Sequence, residues 1–258
     1  MAPISSALTL TALGGLPEIA PGDCLASMIL CHSRALLRPG DHAIALIAQK
    51  VVSKAEGRTV ALRDVQPGAA ARELAARVDK DPRLVELILA ESRAVIRTRP
   101  GLLIAEHHSG HILANAGIDT SNIAQRPGDP QVLLWPRDPD GSARQLALAL
   151  SAALGRDIPV IITDSMGRAW RNGVVGHAIG CYGLRPLWDR VGERDRCGNR
   201  LRVTQVASAD ALAASAVLLQ GEGAEGLPLV WAQGLPLRAS RRANAKCLLR
   251  DPRQDLFR

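Results

Sequence analysis

IPVIITDSMG, at residues 158–167, carries the clearest structural signal in the chain. Its first six residues are almost all apolar or β-branched, a composition typical of a strand that is buried on both faces of a sheet. The polar residues Asp164 and Ser165 follow directly. Because loops after the carboxyl ends of such strands often form active sites in α/β proteins, we predict a buried strand at 158–163 and a functional loop after it.

Further strands and helices alternate along the chain. A second apolar run, AIALIAQKVV at 43–52, predicts a buried strand in which Gln49 and Lys50 stand out as polar. Other patterns predict four helices: one at 68–78, one from an N-cap at Asp81 to about Ser92, one at 140–154 with Asp140 or Ser142 as its cap, and one at 209–219. A hairpin or turn is predicted around Pro100-Gly101, and a strand is predicted at 228–231. Since no clean βαβ repeat appears, we predict an α+β fold with mixed sheet layers and helices.

Composition limits the functional classes. With 258 residues, 47% of them hydrophobic, the chain is long enough to bury a substantial core, and we predict a single module at 1–258, with a division into two lobes left open. The net charge of +7 suits anionic ligands. Basic residues are spread along the chain apart from 238–250, and aromatic residues make up only 2%, so we expect no nucleic-acid partner.

The cysteines and the N-terminal segment bear on location. The five cysteines form no C-x-x-C pair, which argues against a disulfide framework or a zinc knuckle and indicates a reducing compartment. Residues 1–19 lack a basic residue before the apolar ones and contain Gly14, Gly15 and Pro17, so they do not resemble a signal peptide. No run of ~18 apolar residues predicts a membrane span. We expect a cytoplasmic protein without membrane association.

Three acidic positions lie in polar turns after apolar segments: Asp119, Asp164 with Ser165 beside it, and Glu222. Carboxylates and hydroxyls are the oxygen ligands that Mg²⁺ or Mn²⁺ prefer when the metal also holds substrate phosphates. The alternative is that Asp119 and Asp164 are turn or helix-capping residues, and spacing alone favours that alternative.

Basic residues offer a second candidate group. Lys50 and Lys54 are predicted either to contact phosphates or to be solvated at the end of a strand. Arg168 and Arg171 are predicted to hold a carboxylate or a phosphate, or to lie along the surface.

Two further motifs are weak. GEGAEG at 221–226 follows a predicted helix and precedes a strand, which is the reverse of the dinucleotide-binding order, and the chain contains no Walker motif. The histidines His107, His108 and His111 match no established metal-ligand spacing, so we interpret them as hydrogen-bonded or solvated.

Seven strings, in this order, resemble the successive blocks of the F420-0:γ-glutamyl ligase family: GLPEIAPGD, QKVVSKAEGR, ANAGIDTSN, DPDGSA, TDSMGRAWRNGVVGHAIG, DRVGERDRCGNRL and LLQGEGAEGLP. They extend over 15–228, and the joint match is far more specific than any one block. Members of that family use GTP and a divalent metal to attach L-glutamate, through its amino group, to the phospholactyl end of the deazaflavin F420-0. The chain departs from the family pattern at Ser165, Ala169, His177 and Cys181-Tyr182.

The resemblance assigns roles to individual positions. It implies that the divalent metals, Mg²⁺ or Mn²⁺, are held by Asp119, Asp164, Ser165 and Glu222. It implies that the nucleotide contacts Leu16, Pro17, Glu18, Ile19, Gln49, Lys50, Lys54, Asn122, Gln220, Gly221, Glu222, Gly223, Ala224, Glu225, Gly226 and Leu227. Lys50, Lys54 and Arg168 are our predicted catalytic residues, the lysines by stabilising the phosphoryl group in transfer and Arg168 by holding a substrate anion.

The resemblance also implies partners and a reaction. We expect an acyl phosphate to form on the acceptor, a monovalent cation such as K⁺ as a further ligand, an intertwined homodimer and no fused C-terminal reductase-like domain. The expected partners are small molecules: F420-0, L-glutamate and GTP. Two alternatives stay open, namely a related acyl-phosphate amide synthase with another acceptor and a nucleotide-binding protein without catalytic activity.

Overall fold

A computed structural model describes residues 7–33, 36–37, 42–125, 128–235 and 238–256. Part of the predicted 1–258 module, including the first six residues of the N-terminal segment, lies outside these ranges. The helices are α1 (Leu25–Ser33), α2 (Gln49–Ala55), α3 (Ala69–Val78), α4 (Pro82–Ala90), α5 (Pro139–Leu154) and α6 (Ser208–Gln220). The strands are β1 (Thr9–Leu13), β2 (Ala43–Ala48), β3 (Thr59–Ala61), β4 (Ser92–Arg99), β5 (Leu102–His107), β6 (Ile112–Ala114), β7 (Gln131–Leu133), β8 (Val160–Arg168), β9 (Arg171–Leu184), β10 (Leu187–Asp189), β11 (Gln205–Ala207), β12 (Leu229–Gln233) and β13 (Ala239–Ser240).

The largest sheet has the strand order β1-β12-β2-β8-β9-β13. Strands β2 and β8 pair in parallel, with Ala48 opposite Thr163, whereas the other neighbours in this sheet are antiparallel. The segments that follow β1, β2 and β8 therefore emerge at the same edge, and the turn before β12 reaches it from the opposite direction. Crevices at such edges are common ligand sites in mixed sheets.

Helices cover both faces of this sheet. Ile161 and Ile162 are completely buried neighbours in β8, and they point to opposite faces because successive strand residues alternate. Ile162 packs in the core with α1 and α5, and Ile161 packs in the core with α6. Since burial of each such side chain contributes roughly 1.5–3 kcal/mol, the apolar run predicted at 158–163 anchors the sheet from both sides.

A third core lies apart from the large sheet. It is formed by α3, α4, β5 and residues near β7, including Val78, Ile88 and Leu103. Short sheets accompany it: β4-β5-β6 and β3-β7, while β10 and β11 pair as a separate two-stranded ribbon. The division into two lobes stays a prediction, whereas the mixed α+β class and the mixed sheet are confirmed.

The structure confirms one predicted helix cap and one predicted turn, and it corrects a second helix cap. Asp81 caps α4, where its Oδ1 accepts the Arg83 backbone N–H at 2.8 Å, and β4 and β5 form the hairpin predicted around Pro100-Gly101. The cap of α5 is a correction: the helix begins with Pro139 after Asp138. Asp140 instead accepts backbone N–H groups from Cys181 and Ala245, which joins α5 to β9 and to the C-terminal segment.

Two other boundaries were wrong at positions that concern function. Strand β2 ends at Ala48 and α2 begins at Gln49, so the strand predicted at 43–52 is shorter and Lys50 lies on a helix. Strand β8 does not end at Thr163 but continues to Arg168, because β9 pairs with it along its length and places His177 opposite Asp164. Asp164 and Ser165 are therefore strand residues.

The length and composition of the helices were compared with those of membrane-spanning helices. Across the parts of the chain that the structure describes, none of them combines the length and the apolar character that crossing a bilayer needs.

Candidate active site

A cleft of about 600 Å³ opens at the edge where these segments meet. Its lining comes from the turn after β1, from the start of α2, from the loop after β6, from β8 and from the turn between α6 and β12. The lining residues are Leu16, Pro17, Glu18, Ile19, Ala48, Gln49, Lys50, Val51, Lys54, Asn122, Ile123, Ala124, Thr163, Asp164, Ser165, Val217, Gln220, Gly221, Glu222, Gly223, Gly226, Leu227 and Pro228.

Lys50 forms the central ion pair of the cleft. Its Nζ lies 2.5 Å from Asp119 Oδ2, and the side chains are 24% and 27% exposed. Burial raises the pKa of Asp119, but the hydrogen bond from Lys50 and the Ser121 backbone N–H outweigh it, so this pKa lies below its ordinary value. Asp119 is thus a turn acceptor for Ser121 at 2.7 Å, one of the two predicted roles, and its role as a metal ligand stays a prediction.

Asp164 is the carboxylate most strongly affected by its surroundings. Its Oδ2 accepts the Trp135 indole N–H at 2.8 Å, and its Oδ1 accepts the Ser165 backbone N–H at 3.0 Å. Burial raises the pKa of Asp164 to about 7, although the positive charge of Lys50 and the indole hydrogen bond oppose that rise. Near neutral pH this cleft-lining group is thus poised between its acid and its carboxylate.

The glycine turn after α6 brings Glu222 to β8. Ser165 Oγ donates to Glu222 Oε2 at 2.9 Å. At Gly221 φ is +74°, a backbone conformation that strongly favours glycine. Glu225 Oε2 in turn accepts the Gly223 N–H at 2.8 Å, and the turn is thereby fixed from within.

Two buried glutamines stand at the floor of the cleft. Gln220 accepts from Thr163 Oγ1 at 3.0 Å and donates to the Pro228 carbonyl at 3.2 Å, so its side chain joins α6 to the sheet. Gln49 donates to Ser53 Oγ at 2.6 Å, and among the described residues its buried Oε1 has no hydrogen-bond partner. Gln49 therefore offers an unused acceptor beside the cleft.

The oxygen donors suit a hard divalent ion. Within the described ranges, no three His, Cys, Asp or Glu side chains are grouped so as to hold a metal by themselves. Mg²⁺, however, is usually bound by one or two carboxylates together with substrate phosphates and water. Asp164 fits that use, because its Oδ2 accepts the Trp135 indole N–H and its Oδ1 accepts the Ser165 N–H, and each oxygen keeps a further lone pair for an ion.

The predicted site residues fall into two groups. Most of them line the cleft, with Asp119 joined through Lys50 and Asn122 donating to the Gly223 carbonyl at 3.2 Å. Four do not line it: Asp119, Ala224, Glu225 and Arg168. Arg168 donates to the Gly173 carbonyl at 3.1 Å in the β8–β9 hairpin, where Trp170 is 86% exposed, and its role in substrate binding stays a prediction.

Sequence reasoning missed the indole that contacts Asp164. Trp135 belongs to an apolar segment that ends in Pro136, and nothing local distinguishes it from an ordinary core residue. Thr163 was placed at the end of a strand without a role, and Ile123 and Ala124 carry no chemical signal. The hydrogen-bonded interpretation of the histidines is confirmed, since His107, His108 and His111 each have a hydrogen-bond partner.

Comparison with known proteins shows which family the chain resembles. The model of the family described as F420-0:Gamma-glutamyl ligase matches residues 15–234. The chain belongs to this family. The match contains every lining residue of the cleft and ends just after β12.

Named relatives in the F420-0:γ-glutamyl ligase family align over nearly the whole chain. The Coenzyme F420:L-glutamate ligase of Methanothermobacter thermautotrophicus is 43% identical over 97% of this chain and 99% of its own length. The protein of the same name from Methanopyrus kandleri is 42% identical over 95% of this chain and 100% of its own. That of Halobacterium salinarum is 43% identical over 85% and 84%.

Proposed function

We propose that this protein is a ligase that adds L-glutamate to F420-0 in a reaction dependent on GTP and a divalent metal, with an acyl phosphate as intermediate. The observation that carries the proposal is that a chain of the F420-0:γ-glutamyl ligase family gathers its basic, acidic and glycine-rich segments around one cleft. The relatives' names support the two substrates.

A carboxylate must acquire a leaving group before an amine can displace one of its oxygens. In the proposed reaction a carboxylate oxygen of F420-0 attacks the γ-phosphorus of GTP, a P–O bond forms, and the bond to the bridging oxygen breaks to release GDP. The glutamate amine then attacks the acyl carbon. A C–N bond forms, the C–O bond to phosphate breaks, and the amine proton leaves with the phosphate.

The residues of the cleft contribute charge and orientation. Lys50 and Lys54 lie on the same face of α2, one turn apart, and both line the cleft. Their ion pairs with Asp119 and Glu18 hold the two ammonium groups where they stabilise negative charge on a transferring phosphoryl group. The turn at 221–226 supplies backbone next to the triphosphate.

Asp164, Ser165, Glu222 and Asp119 are the residues that would hold the divalent ion, in agreement with their oxygen donors and with the further lone pairs of the Asp164 carboxylate. When bound, the ion supplies charge neutralisation for the triphosphate. The proposal further includes K⁺ as an additional ligand, a homodimer and a cytoplasmic location.

The experiment that tests the proposal is phosphate release with single omissions. Phosphate should appear from GTP only when Mg²⁺ or Mn²⁺, F420-0 and glutamate are all present, and ATP in place of GTP should support slower release. With an acceptor carrying ¹⁸O in its carboxylate, one label should move to the released phosphate. Phosphate release that does not depend on the acceptor, or unlabelled phosphate, would contradict the acyl-phosphate route.

Ser165 provides a matched pair of variants. Ser165→Ala removes the hydroxyl that donates to Glu222, and we expect activity to fall by roughly 10–100-fold, as for a lost contact that orients a metal ligand. Ser165→Thr keeps a hydroxyl and should retain activity within a few-fold. Steady-state rates at varied Mg²⁺ distinguish the two. Equal losses in both variants would show that bulk rather than the hydroxyl matters.

The pKa of Asp164 predicts an acidic limb in the rate profile. Below pH 7 the carboxyl group is protonated and cannot bind a cation, so the proton and Mg²⁺ compete. At subsaturating Mg²⁺ we expect the rate to fall up to tenfold for each pH unit below about 7, and saturating Mg²⁺ should move this limb to lower pH. A limb that does not respond to Mg²⁺ would assign the titration to another group.

A further inference from the structure

The indole of Trp135 is placed unusually for a buried tryptophan. The residue is 1% exposed, yet its N–H reaches the cleft-lining carboxylate of Asp164 rather than a partner within the core. The buried Trp231 provides the contrast, because its N–H donates to Ser33 Oγ at 3.0 Å, away from the cleft. Any acceptor would satisfy a buried indole, so the choice of a functional carboxylate needs a further reason.

Two histidine rings hold this indole in place. The ring centroids of His107 and His111 lie 5.1 and 5.3 Å from that of Trp135. Ser109 Oγ joins the two imidazoles, at 2.8 Å from His107 Nδ1 and 2.9 Å from His111 Nδ1. We call His107, Ser109 and His111 the histidine clamp. Burial lowers the pKa of His111 to about 4, so this ring is neutral near pH 7.

The other sides of Trp135 are also fixed. A Cβ atom at Gly117, where φ is +77°, would lie 2.5 Å from indole ring atoms, so the loop that carries Asp119 packs directly on the ring. Arg58 Nε donates to the Trp135 carbonyl at 2.8 Å, and its Nη2 pairs with Glu91 Oε2 at 2.8 Å. The indole can therefore rotate little, and its N–H has one direction available.

We propose that Trp135, held by the histidine clamp, is a positioning residue that fixes the orientation of the Asp164 carboxylate toward the divalent ion. This inference rests on the proposed function. The indole N–H engages Oδ2 and the Ser165 backbone N–H engages Oδ1, which leaves each oxygen a further lone pair for the ion. Outer contacts of this kind commonly tune metal affinity.

The test measures binding of Mn²⁺ alone to the full chain, without nucleotide, by the loss of the free Mn²⁺ signal in electron paramagnetic resonance. In Trp135→Phe the Mn²⁺ dissociation constant should rise by about 10–100-fold, while circular dichroism and the melting transition show a folded protein. Trp170→Phe changes an 86% exposed tryptophan outside the cleft and should leave the affinity unchanged.

Fluorescence gives a second readout, which tests whether the bound ion lies next to the indole. Paramagnetic Mn²⁺ quenches a neighbouring indole, so titration of the wild type and of Trp170→Phe should quench tryptophan emission. In Trp135→Phe most of this quenching should disappear even at Mn²⁺ concentrations that restore full binding. Quenching that persists unchanged there would overturn the inference.

Ser109→Ala tests the clamp and also covers a failure of the first variant to fold. It removes the bridge between the imidazoles but keeps both hydrogen bonds of Asp164, so we expect weaker Mn²⁺ binding with a smaller change than in Trp135→Phe. If Trp135→Phe or Ser109→Ala folds and binds Mn²⁺ as tightly as the wild type, this inference is overturned while the proposed function is unaffected. A wild type that binds no Mn²⁺ even after GTP is added overturns the inference together with the metal dependence of the proposed function.

Discussion

Asp164→Asn is expected to lower glutamate transfer by more than about a hundredfold while the protein folds normally. Loss of a residue that merely supports a metal ligand costs about 10–100-fold, and this substitution removes the charge of the predicted ligand itself. The amide oxygen can still accept the Trp135 N–H, although the amide NH₂ group cannot replace Oδ1 as the acceptor of the Ser165 N–H. The measurement is the rate of F420-0 glutamylation at saturating GTP, Mg²⁺ and glutamate.

The same substitution should stabilise the protein at alkaline pH when divalent ions are absent. Because burial raises the pKa of Asp164 from 3.8 to about 7, the folded state binds this proton more tightly than the unfolded state. The wild type therefore loses stability from this group as pH rises from about 4 to 7, by roughly 2–4 kcal/mol at pH 8. Asparagine has no such penalty.

Melting temperatures at pH 5 and pH 8 check this sign. The advantage of Asp164→Asn over the wild type should be larger at pH 8, and addition of Mg²⁺ with GTP should stabilise the wild type more than the variant. Asp157→Asn is the matched control, since the Asp157 side chain is 76% exposed and pairs with Arg241. An Asp164→Asn protein that is less stable than the wild type at pH 8 would contradict the assignment.

Lys50→Met is expected to have the second large effect. The substitution keeps most of the apolar stem but removes the ammonium group. In the wild type this group lies 2.5 Å from Asp119 Oδ2, and its positive charge lowers the pKa of Asp164. We expect activity to fall by about a hundredfold or more, because a positioned donor of this kind contributes most to the transition state. Stability should fall by roughly 1–3 kcal/mol, between the values for exposed and buried pairs.

The pattern of kinetic constants distinguishes catalysis from simple binding. If Lys50 stabilises the transferring phosphoryl group, kcat should fall more than the KM for GTP rises. Lys246→Met, at an exposed position outside the cleft lining, should leave both constants unchanged. A large rise in KM with kcat retained would make Lys50 a ground-state binding residue.

The sequence predicted the strongest local features of the site. Asp164 and Ser165 follow the apolar run at 158–163, and the glycine turn at 221–226 follows a helix and precedes a strand, so the positions of both groups could be predicted from the sequence. The strand assignment failed beyond Thr163 because the polar, glycine-containing residues after it are typical of a loop. Their extended conformation depends on pairing with β9, a contact that no local pattern reveals.

Contacts between distant segments could not be predicted. The pairing of Lys50 with Asp119 depends on how the third core packs against the large sheet, and the hydrogen bond from Trp135 depends on the position of β7 relative to β8. The family resemblance identified which polar residues belong together, and their arrangement came from tertiary structure.

Mass spectrometry of the acceptor tests the central claim most directly. F420-0 incubated with the protein, GTP, Mn²⁺ and L-glutamate should gain the mass of one or more glutamyl residues, in step with the GDP and phosphate formed. Asp164→Asn should form this product at least about a hundredfold more slowly at matched protein concentration. An acceptor of unchanged mass, from a folded protein that binds GTP, would contradict the account and favour another acceptor or a role in nucleotide binding alone.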